Sequence, residues 1–420
     1  MKGLRYTFSR PLTQTEWDIL RSYTRRIRSI KHLGGLARKP IRILSKPPTA
    51  ESLFPNLRSL RCLYTLEAIH LLLVPLPSLI SLHVEFMHCH FLNDPRLLQN
   101  CLKLLARLSA NLEKLCIDVH TVQPMGVHTL IHLSRFPLLT QLSFEASDTL
   151  LDQITPSESP LFFPTLYKLI LSSEFEVLDT ISRLLSQTRL PAIGDLTAFI
   201  GPCPSERDIS SFFTSLRTSV TAHTIQKLRL EQGVPPHDDY VAKDPRPVLG
   251  FEDLQPCVVF TNLRSIDVAL DCRVDLTDSE LLALASAWPH LECLLINTCW
   301  GWNTQGGITP NGLMHLLQKC QSLSWIGTAI DTRGYIEVPR SQARQASLLP
   351  RPLFIDVADS NIEAESVPAI AAFFAGIMSP SSVFRAWAGW GMEEFPNRGV
   401  CKMRWNDVHI RIMHSILQRS

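Results

Sequence analysis

The chain has 420 residues, of which 45% are hydrophobic and 19% are charged. This composition supplies a large buried core and excludes general disorder. With 41 Lys and Arg residues against 39 Asp and Glu residues, the formal net charge is only +2. That balance excludes the domain-wide basic excess typical of a dedicated nucleic-acid binder.

The lengths of the apolar runs and the spacing of the cysteines indicate the cellular compartment in which the protein is expected. The longest apolar runs, from Leu71 and from Ala369, are far shorter than the ~20 residues that span a bilayer, and the N-terminal residues lack the apolar core of a secretory signal. The 11 cysteines form no C-x-x-C pair, which is typical of free thiols in a reducing compartment. We therefore expect a cytoplasmic or nuclear protein with no membrane and no nucleic-acid partner.

Residues 1–50 contain one amphipathic segment. Its residues recur at helical spacing, at Trp17, Leu20, Tyr23 or Thr24, Ile27 and Ile30. We predict a helical cap over residues 1–50 that covers the first edge of a repeat array, since terminal repeats need such cover.

From residue 51 the chain repeats a segment of the form aromatic-Pro-x-Leu-x-x-Leu-x-apolar, with ten copies that begin between Phe54 and Cys320. The first key apolar position recurs in steps of 27 residues at Leu112, Leu139, Leu166 and Ile193. A period in the twenties with L-x-x-L-x-L is the leucine-rich-repeat signature. We predict an α/β leucine-rich-repeat solenoid over residues 51–360, with a curved parallel sheet on its concave face and helices on its convex face.

Each copy predicts a strand with one buried face followed by a helix, because leucines alternate with polar residues before a stretch of helical period. Thr277 and Glu280 predict a capping box, and Thr309 with Pro310 predicts a second helix start. Helices predicted over 363–378 and 404–418 form a C-terminal helical cap of residues 361–420. A doubly wound β/α domain, which also alternates strands and helices, stays open as a rival interpretation.

The sequence carries no G-x-S-x-G elbow, no G-x-x-x-x-G-K-[ST] phosphate loop and no G-x-G-x-x-G fingerprint. The one metal-like pattern is His88-Cys89-His90, with His128 and His132 on a predicted helix. Adjacent residues of a strand point to opposite faces, so His88, Cys89 and His90 cannot easily bind one ion. The sequence also lacks the C-x-x-C spacing that is typical of a zinc site. We predict no catalytic residue, no metal and no cofactor. A hydrolase or transferase is an alternative that lacks a nucleophile motif.

The candidate binding surface is the outward row of side chains on the predicted sheet. The row mixes charges of both signs, which favours a protein ligand over a phosphate backbone, because the latter needs a line of Lys and Arg. Trp300 and Trp302 have two interpretations, an exposed binding anchor or a wedge beneath the loop that leads to the Thr309 helix. The predicted binding residues are His83, Glu85, Lys114, Asp118, Gln141, Glu145, Lys227, Arg229, Asp267, Trp300 and Trp302.

Six segments, spread over nearly the whole chain, carry a family resemblance. They are SRPLTQTEWDILRSYTRRIRSIKHL from Ser9, FPNLRSLRC from Phe54, VLGFEDLQPCVVFTNLRSIDV from Val248, LTDSELLALASAWPHLECLLIN from Leu276, GITPNGLMHLLQKCQSL from Gly307 and RWNDVHIRI from Arg404. The first is similar to the R-x-L-x-x-x-x-W-x-x-x-x-x-Y-x-x-R-[IV]-R-x-L lead-in of mushroom-type (basidiomycete) fungal F-box proteins, and the others resemble the leucine-rich repeats and tail of that family. The resemblance implies a substrate receptor of a cullin-type ubiquitin ligase, which binds a linker protein through its F-box and a target through its repeats.

No segment of the F-box form precedes Trp17. We therefore expect docking to the ubiquitin-ligase linker protein to be absent from this chain, unless an F-box is encoded upstream. The expected function is non-catalytic protein recognition, resembling the substrate-receptor part of an SCF-type ligase. The alternative is a leucine-rich-repeat scaffold or small-GTPase regulator in a signalling complex.

Overall fold

A computed structural model of the protein describes residues 10, 12–31, 52–63, 76–86, 111–119, 127–146, 160–173, 178–233, 246–303, 306–333, 351–389, 392 and 397–418. The chain divides into two compact units. The first comprises Met1–Phe175 and Arg183–Ile193, and the second comprises Glu176–Ser182 and Gly194–Ser420.

The first unit opens with helix α1 (Gln14–Thr24), which begins at a capping box of Thr13 and Glu16. Its sheet adds parallel strands in sequence order: β1 (Ser29–Ile30), β2 (Ser59–Leu63), β3 (Ser81–Phe86), β4 (Lys114–Val119), β5 (Gln141–Glu145) and, after the short β6 (Leu161–Phe162), β7 (Lys168–Ser173). Helix α2 (Val127–Leu133) follows β4 in the chain. Strand β6 pairs separately with β8 (Thr188–Arg189), and helix α3 (Leu178–Ser186) contains the boundary between the units.

The sheet of the second unit is also parallel and in sequence order. Its strands are β9 (Asp195–Ile200), β10 (Lys227–Gln232), β12 (Ser265–Ala269), β14 (Cys293–Ile296), β15 (Trp325–Gly327), β16 (Phe354–Asp356) and β17 (Val383–Arg385), while β11 (Val248–Gly250) and β13 (Arg273–Asp275) form a separate pair. The helices are α4 (Glu206–Ser219), α5 (Phe251–Leu254), α6 (Asp278–Ala287), α7 (Pro310–Lys319), α8 (Val367–Ile377) and α9 (Arg398–Leu417), with 3₁₀ turns at Gln255–Val259 and Ala364–Ser366.

This strand order confirms the predicted α/β leucine-rich-repeat fold. A doubly wound domain reverses its strand order at a switch point, whereas in each unit of this protein every repeat adds its strand beside the preceding one. Buried and partly exposed side chains alternate along strands such as β5 and β7. Because a single strand and helix cannot bury their own apolar face, neighbouring repeats stabilise one another.

A recurring turn before the strands explains the aromatic-Pro-x-Leu segment. The N–H of the leucine donates to the carbonyl three residues earlier, as from Leu57 to Phe54 (3.3 Å) and from Leu263 to Phe260 (2.9 Å). The same bond recurs for Leu79 to Leu76, Leu139 to Phe136, Ile193 to Leu190, Leu291 to Trp288 and Leu323 to Cys320. Proline is favoured at the second position of such a turn because its φ is already set.

The predicted helix starts are confirmed. The Thr277 N–H donates to Glu280 Oε2 (2.8 Å) and the Glu280 N–H donates to Thr277 Oγ1 (3.4 Å), which closes the capping box of α6. Thr309 Oγ1 accepts from the Gly312 N–H (3.3 Å) at the start of α7. Both caps satisfy amide groups that a helix start would otherwise leave without partners.

The parallel sheet continues beyond residue 360, where we predicted that the solenoid ends. Strand β17 pairs in parallel with β16, with Phe354 opposite Val383 and Asp356 opposite Arg385. Its sequence, Val-Phe-Arg, lacks the repeated leucines, and Phe384, which is 7% exposed, fills the inward position. The two predicted C-terminal helices are present as α8 and α9, and α9 starts earlier than predicted, at Arg398.

Candidate binding surface

Four of the predicted binding residues in the first unit lie on the outward side of its sheet. They alternate with Leu82, Leu115 and Leu142, which are at most 2% exposed. Lys114 is exposed, whereas His83, Gln141 and Glu145 are half-buried. In the strand register Lys114 is the partner of Gln141. Glu85 and Asp118 are also register partners, but their side chains lie outside the described part of the structure.

The predicted residues of the second unit form a charged group centred on Arg229. Its guanidinium lies 2.6 Å from Glu231 Oε2 and 3.3 Å from Asp267 Oδ2, and it sits over the Phe199 ring at 5.7 Å. Burial raises the pKa of Asp267, and the Arg229 charge opposes that shift. Lys227 is exposed. The Arg229 side chain is 49% exposed, whereas that of Asp267 is only 24% exposed.

The interpretation of Trp300 and Trp302 as an exposed binding anchor is wrong. The two side chains are 3% and 0% exposed. Trp302 Nε1–H donates to the Ile296 carbonyl (2.7 Å), and the Trp302 N–H donates to Asp359 Oδ1 (2.6 Å). Between the two tryptophans the chain turns at Gly301, whose φ of 84° favours glycine. Both tryptophans are therefore buried rather than available to a partner.

An aromatic cluster that the sequence prediction missed lies on the last strands of the second unit. Trp325, Phe354 and Val383 are register partners on β15, β16 and β17. The Trp325 and Phe354 rings stack with centroids 4.5 Å apart and planes inclined by 22°. Trp325 and Val383 are each 49% exposed. We define the aromatic patch as these three residues together with Arg385.

Arg385 completes the aromatic patch by covering one of its rings. Its guanidinium lies over the Phe354 ring at 5.6 Å, and its Nε is 3.7 Å from Asp356 Oδ2. The Arg385 side chain is 48% exposed, whereas the Asp356 side chain is only 6% exposed. Burial raises the pKa of Asp356, and the Arg385 charge opposes that shift. The patch thus offers an indole and a guanidinium, two groups over-represented at protein-binding hot spots.

A signal for the aromatic patch was present in the sequence. Trp325 holds the same outward position in CQSLSWIG that Lys227 holds in TIQKLRL, two residues after the first key apolar residue. The predicted outward row ended at Asp267, although the copies that begin at Trp288 and Cys320 continue the repeat, and the later segments PLFIDV and SSVFRA lack the L-x-x-L spacing. Only the strand register shows that Phe354 and Val383 continue that row.

A cleft of about 390 Å³ lies between the C-terminal helix and the loops that follow β15 and β16. Its charged groups bind one another or the backbone. Arg333 Nη2 is 2.7 Å from Asp331 Oδ2, and Arg404 Nη1–H donates to the Ile362 carbonyl (2.7 Å). The Cys401 thiol donates to Asn361 Oδ1 (3.3 Å), an amide oxygen that is not a general base. The described lining therefore contains no paired nucleophile and base.

No disulfide joins the cysteines whose side chains the structure describes. Burial raises the pKa of Cys257 and Cys272, and it raises the pKa of Cys320 to about 11. These thiols stay protonated at neutral pH and are poor nucleophiles. Within the described ranges no group of three His, Cys, Asp or Glu residues could hold a metal ion. His88, Cys89 and His90 lie outside those ranges.

No protein-family model matches the sequence, and no curated protein matches it. Among solved structures, an internalin from Listeria monocytogenes is similar over 90% of this chain and 86% of its own, with 12% identity and a TM-score of 0.40. That degree of likeness carries no conclusion about partners. Among the described helices, not one combines the length and the apolar character that crossing a bilayer requires.

Proposed function

We propose that this protein recognises another protein through the outward side of its repeat sheet, with the aromatic patch as the main contact. The observation that carries the proposal is the exposure of Trp325 and Val383, each 49%, on the two sides of Phe354 in a row of outward positions, on a sheet whose described inward residues are buried. Tryptophan and arginine at the centre of a protein contact supply most of its binding free energy.

The rigidity of the patch supports the same proposal. Trp325 is held by its stack on Phe354, and Phe354 is held between that indole and the Arg385 guanidinium. A side chain that is already ordered loses less conformational entropy when a partner covers it. The charged group around Arg229 lies on the outward side of the same sheet and supplies polar contacts of both signs.

The test compares proteins that co-purify with the full chain from an extract of its own cells. We expect a partner that the wild type retains and that Trp325→Ala and Val383→Asp both lose. The matched control is Leu138→Asp, because Leu138 is also an exposed aliphatic residue (46%) but lies outside the patch. Retention of every co-purifying protein by both patch variants, or equal losses with Leu138→Asp, would refute the proposal.

We further propose that the recognised protein is a ubiquitylation target, on the resemblance of the segments at Ser9, Phe54 and Arg404 to F-box leucine-rich-repeat proteins. Such a role requires a cytoplasmic or nuclear location. The test is binding of purified linker protein to the 420-residue chain and to a fusion with an F-box placed before Met1. We expect binding by the fusion alone, followed by ubiquitylation of the partner. Binding by the unfused chain would contradict the expected loss of docking, and a fusion that docks without modifying the partner would contradict the ligase role.

A further inference from the structure

The C-terminal helix α9 is apolar on two opposite faces. One face packs into the second unit through Cys401, Trp405, Val408, Ile412 and Ile416. The other face is exposed, with Met403 at 66%, Ile410 at 57%, Met413 at 39% and Leu417 at 67%. We define these four residues as the outer seam. A single exposed apolar residue is ordinary, whereas an aligned set on one helix marks an interaction surface.

The spacing of the outer seam is that of a helix–helix contact. Met403, Ile410 and Leu417 recur every seven residues, and Met413 follows Ile410 by three. The step of three and then four residues from Ile410 through Met413 to Leu417 places these side chains in one narrow line, as in the seam of a coiled coil, and Asn406 holds the corresponding position between Met403 and Ile410. Peptide helices that dock in this way present anchors at the same intervals.

The charge beside the outer seam selects the partner. Helix α9 carries Arg398, Lys402, Arg404 and Arg411 against a single acidic residue, Asp407. Arg411 Nε lies 3.1 Å from Asp407 Oδ1, and Arg404 Nη1–H donates to the Ile362 carbonyl, so these two cations already have partners. Lys402, next to Met403, is exposed, and helix α9 keeps a net positive charge. A partner helix with Glu or Asp beside its own apolar line would therefore be attracted to this end of the seam.

The charge of helix α9 argues against a second copy as the occupant, and the composition of its outer seam argues against a membrane. A second copy of this chain would bring a cationic helix against another cationic helix, and like charges across such a contact are destabilising. An interfacial membrane helix uses Trp, Phe and Leu on a broad apolar face. The aromatic residue of α9, Trp405, faces the core, where its Nε1–H donates to the Ser360 carbonyl (2.8 Å), and Asn406 interrupts the seam.

We propose that the outer seam of α9 is a docking surface for an acidic amphipathic helix of another protein, packed along Met403, Ile410, Met413 and Leu417. This surface is separate from the aromatic patch, and the inference holds whether or not the patch binds a partner.

The probe is a synthetic helical peptide of about 21 residues, three heptads, with Leu at the a and d positions and Glu at the e and g positions. Its glutamates repel those of a second copy, so it stays available for α9. A comparison peptide carries Lys in place of Glu. We expect the full chain to bind the Glu peptide, and to bind the Lys peptide at least about tenfold more weakly. Fluorescence anisotropy at low salt measures both affinities.

Ile410→Ser removes an anchor without changing the charge, and we expect it to weaken binding of the Glu peptide by about tenfold. Ile19→Ser is the matched control, because Ile19 is equally exposed (54%) in the middle of helix α1, and we expect its affinity to equal that of the wild type. Thermal unfolding of both variants confirms that they fold.

Four results would each overturn the inference. They are failure of the wild type to bind the Glu peptide, equal binding of the two peptides, equal affinity of the wild type and Ile410→Ser, and equal weakening by Ile19→Ser. Two further measurements identify another occupant and also overturn it. One is dimerisation of the full chain in analytical ultracentrifugation that Ile410→Ser abolishes, and the other is binding to vesicles containing phosphatidylserine that Ile410→Ser abolishes.

Discussion

Replacing Asp359 by Ala should destabilise the second unit through the loop that carries Trp302. The carboxylate of Asp359, which is 5% exposed, accepts hydrogen bonds from the Trp302 N–H (2.6 Å) and the Asn303 N–H (2.9 Å). A hydrogen bond to a charged acceptor contributes about 1.5–3 kcal/mol. Burial raises the pKa of Asp359, which shows that the carboxylate also carries a desolvation cost that the substitution removes. The expected net loss is about 3 kcal/mol in the free energy of unfolding.

The assay is urea unfolding followed by tryptophan fluorescence, combined with hydrogen exchange at the two amides. We expect Asp359→Ala to lower the midpoint and to expose the Trp302 and Asn303 amides to exchange. Asp359→Asn, which keeps one acceptor oxygen, should lose about half as much stability. A wild-type midpoint for Asp359→Ala, with both amides still protected, would refute the assignment of these hydrogen bonds.

Two further predictions concern a buried carboxyl group and a glycine. Burial raises the pKa of Asp271 to about 6, even though Arg246 Nη1 lies 3.2 Å from its Oδ1. Because this folded-state pKa lies above the unfolded value of about 4, the contribution of Asp271 to the free energy of unfolding is complete below pH ~4 and is lost as the pH rises through ~6. Asp271→Asn should therefore flatten the pH dependence of the free energy of unfolding by on the order of 2 kcal/mol. Parallel plots of this free energy against pH for the wild type and the variant would contradict the prediction. At Gly389 an added Cβ would clash with the Cys299 carbonyl oxygen and would lie 2.6 Å from that of Thr298, so Gly389→Ala should cost about 1–3 kcal/mol in thermal unfolding. Gly399→Ala is the control, since nothing lies within 4 Å of its added Cβ, and equal Tm values for the two variants would count against the close approach at Gly389.

Features of the fold that depend on neighbouring residues in the chain could be predicted. The capping box at Thr277 and Glu280, the cap at Thr309 and the helices after residue 360 are all present, because each arises from hydrogen bonds or apolar spacing within a few residues. The outward positions of Lys114, Lys227 and Arg229 could be predicted for the same reason, since side chains alternate along a strand.

The burial of Trp302 could not be predicted in this way, because Asp359, which accepts a hydrogen bond from its N–H, lies 57 residues later in the chain. Trp325, in contrast, is exposed at the outward position that its repeat predicts. The aromatic patch depends on the register of three strands, of which β16 and β17 lack the leucine spacing.

The sequence by itself determined the class of this protein, because the leucine period and the turn before each strand are local and repeat many times along the chain. Only the tertiary structure decided which side chains are available to a partner. Whether an apolar residue faces solvent depends on which distant segment covers it. For this reason Trp300 and Trp302 are buried whereas Trp325 is exposed, and the inner face of α9 is buried whereas its outer seam is exposed.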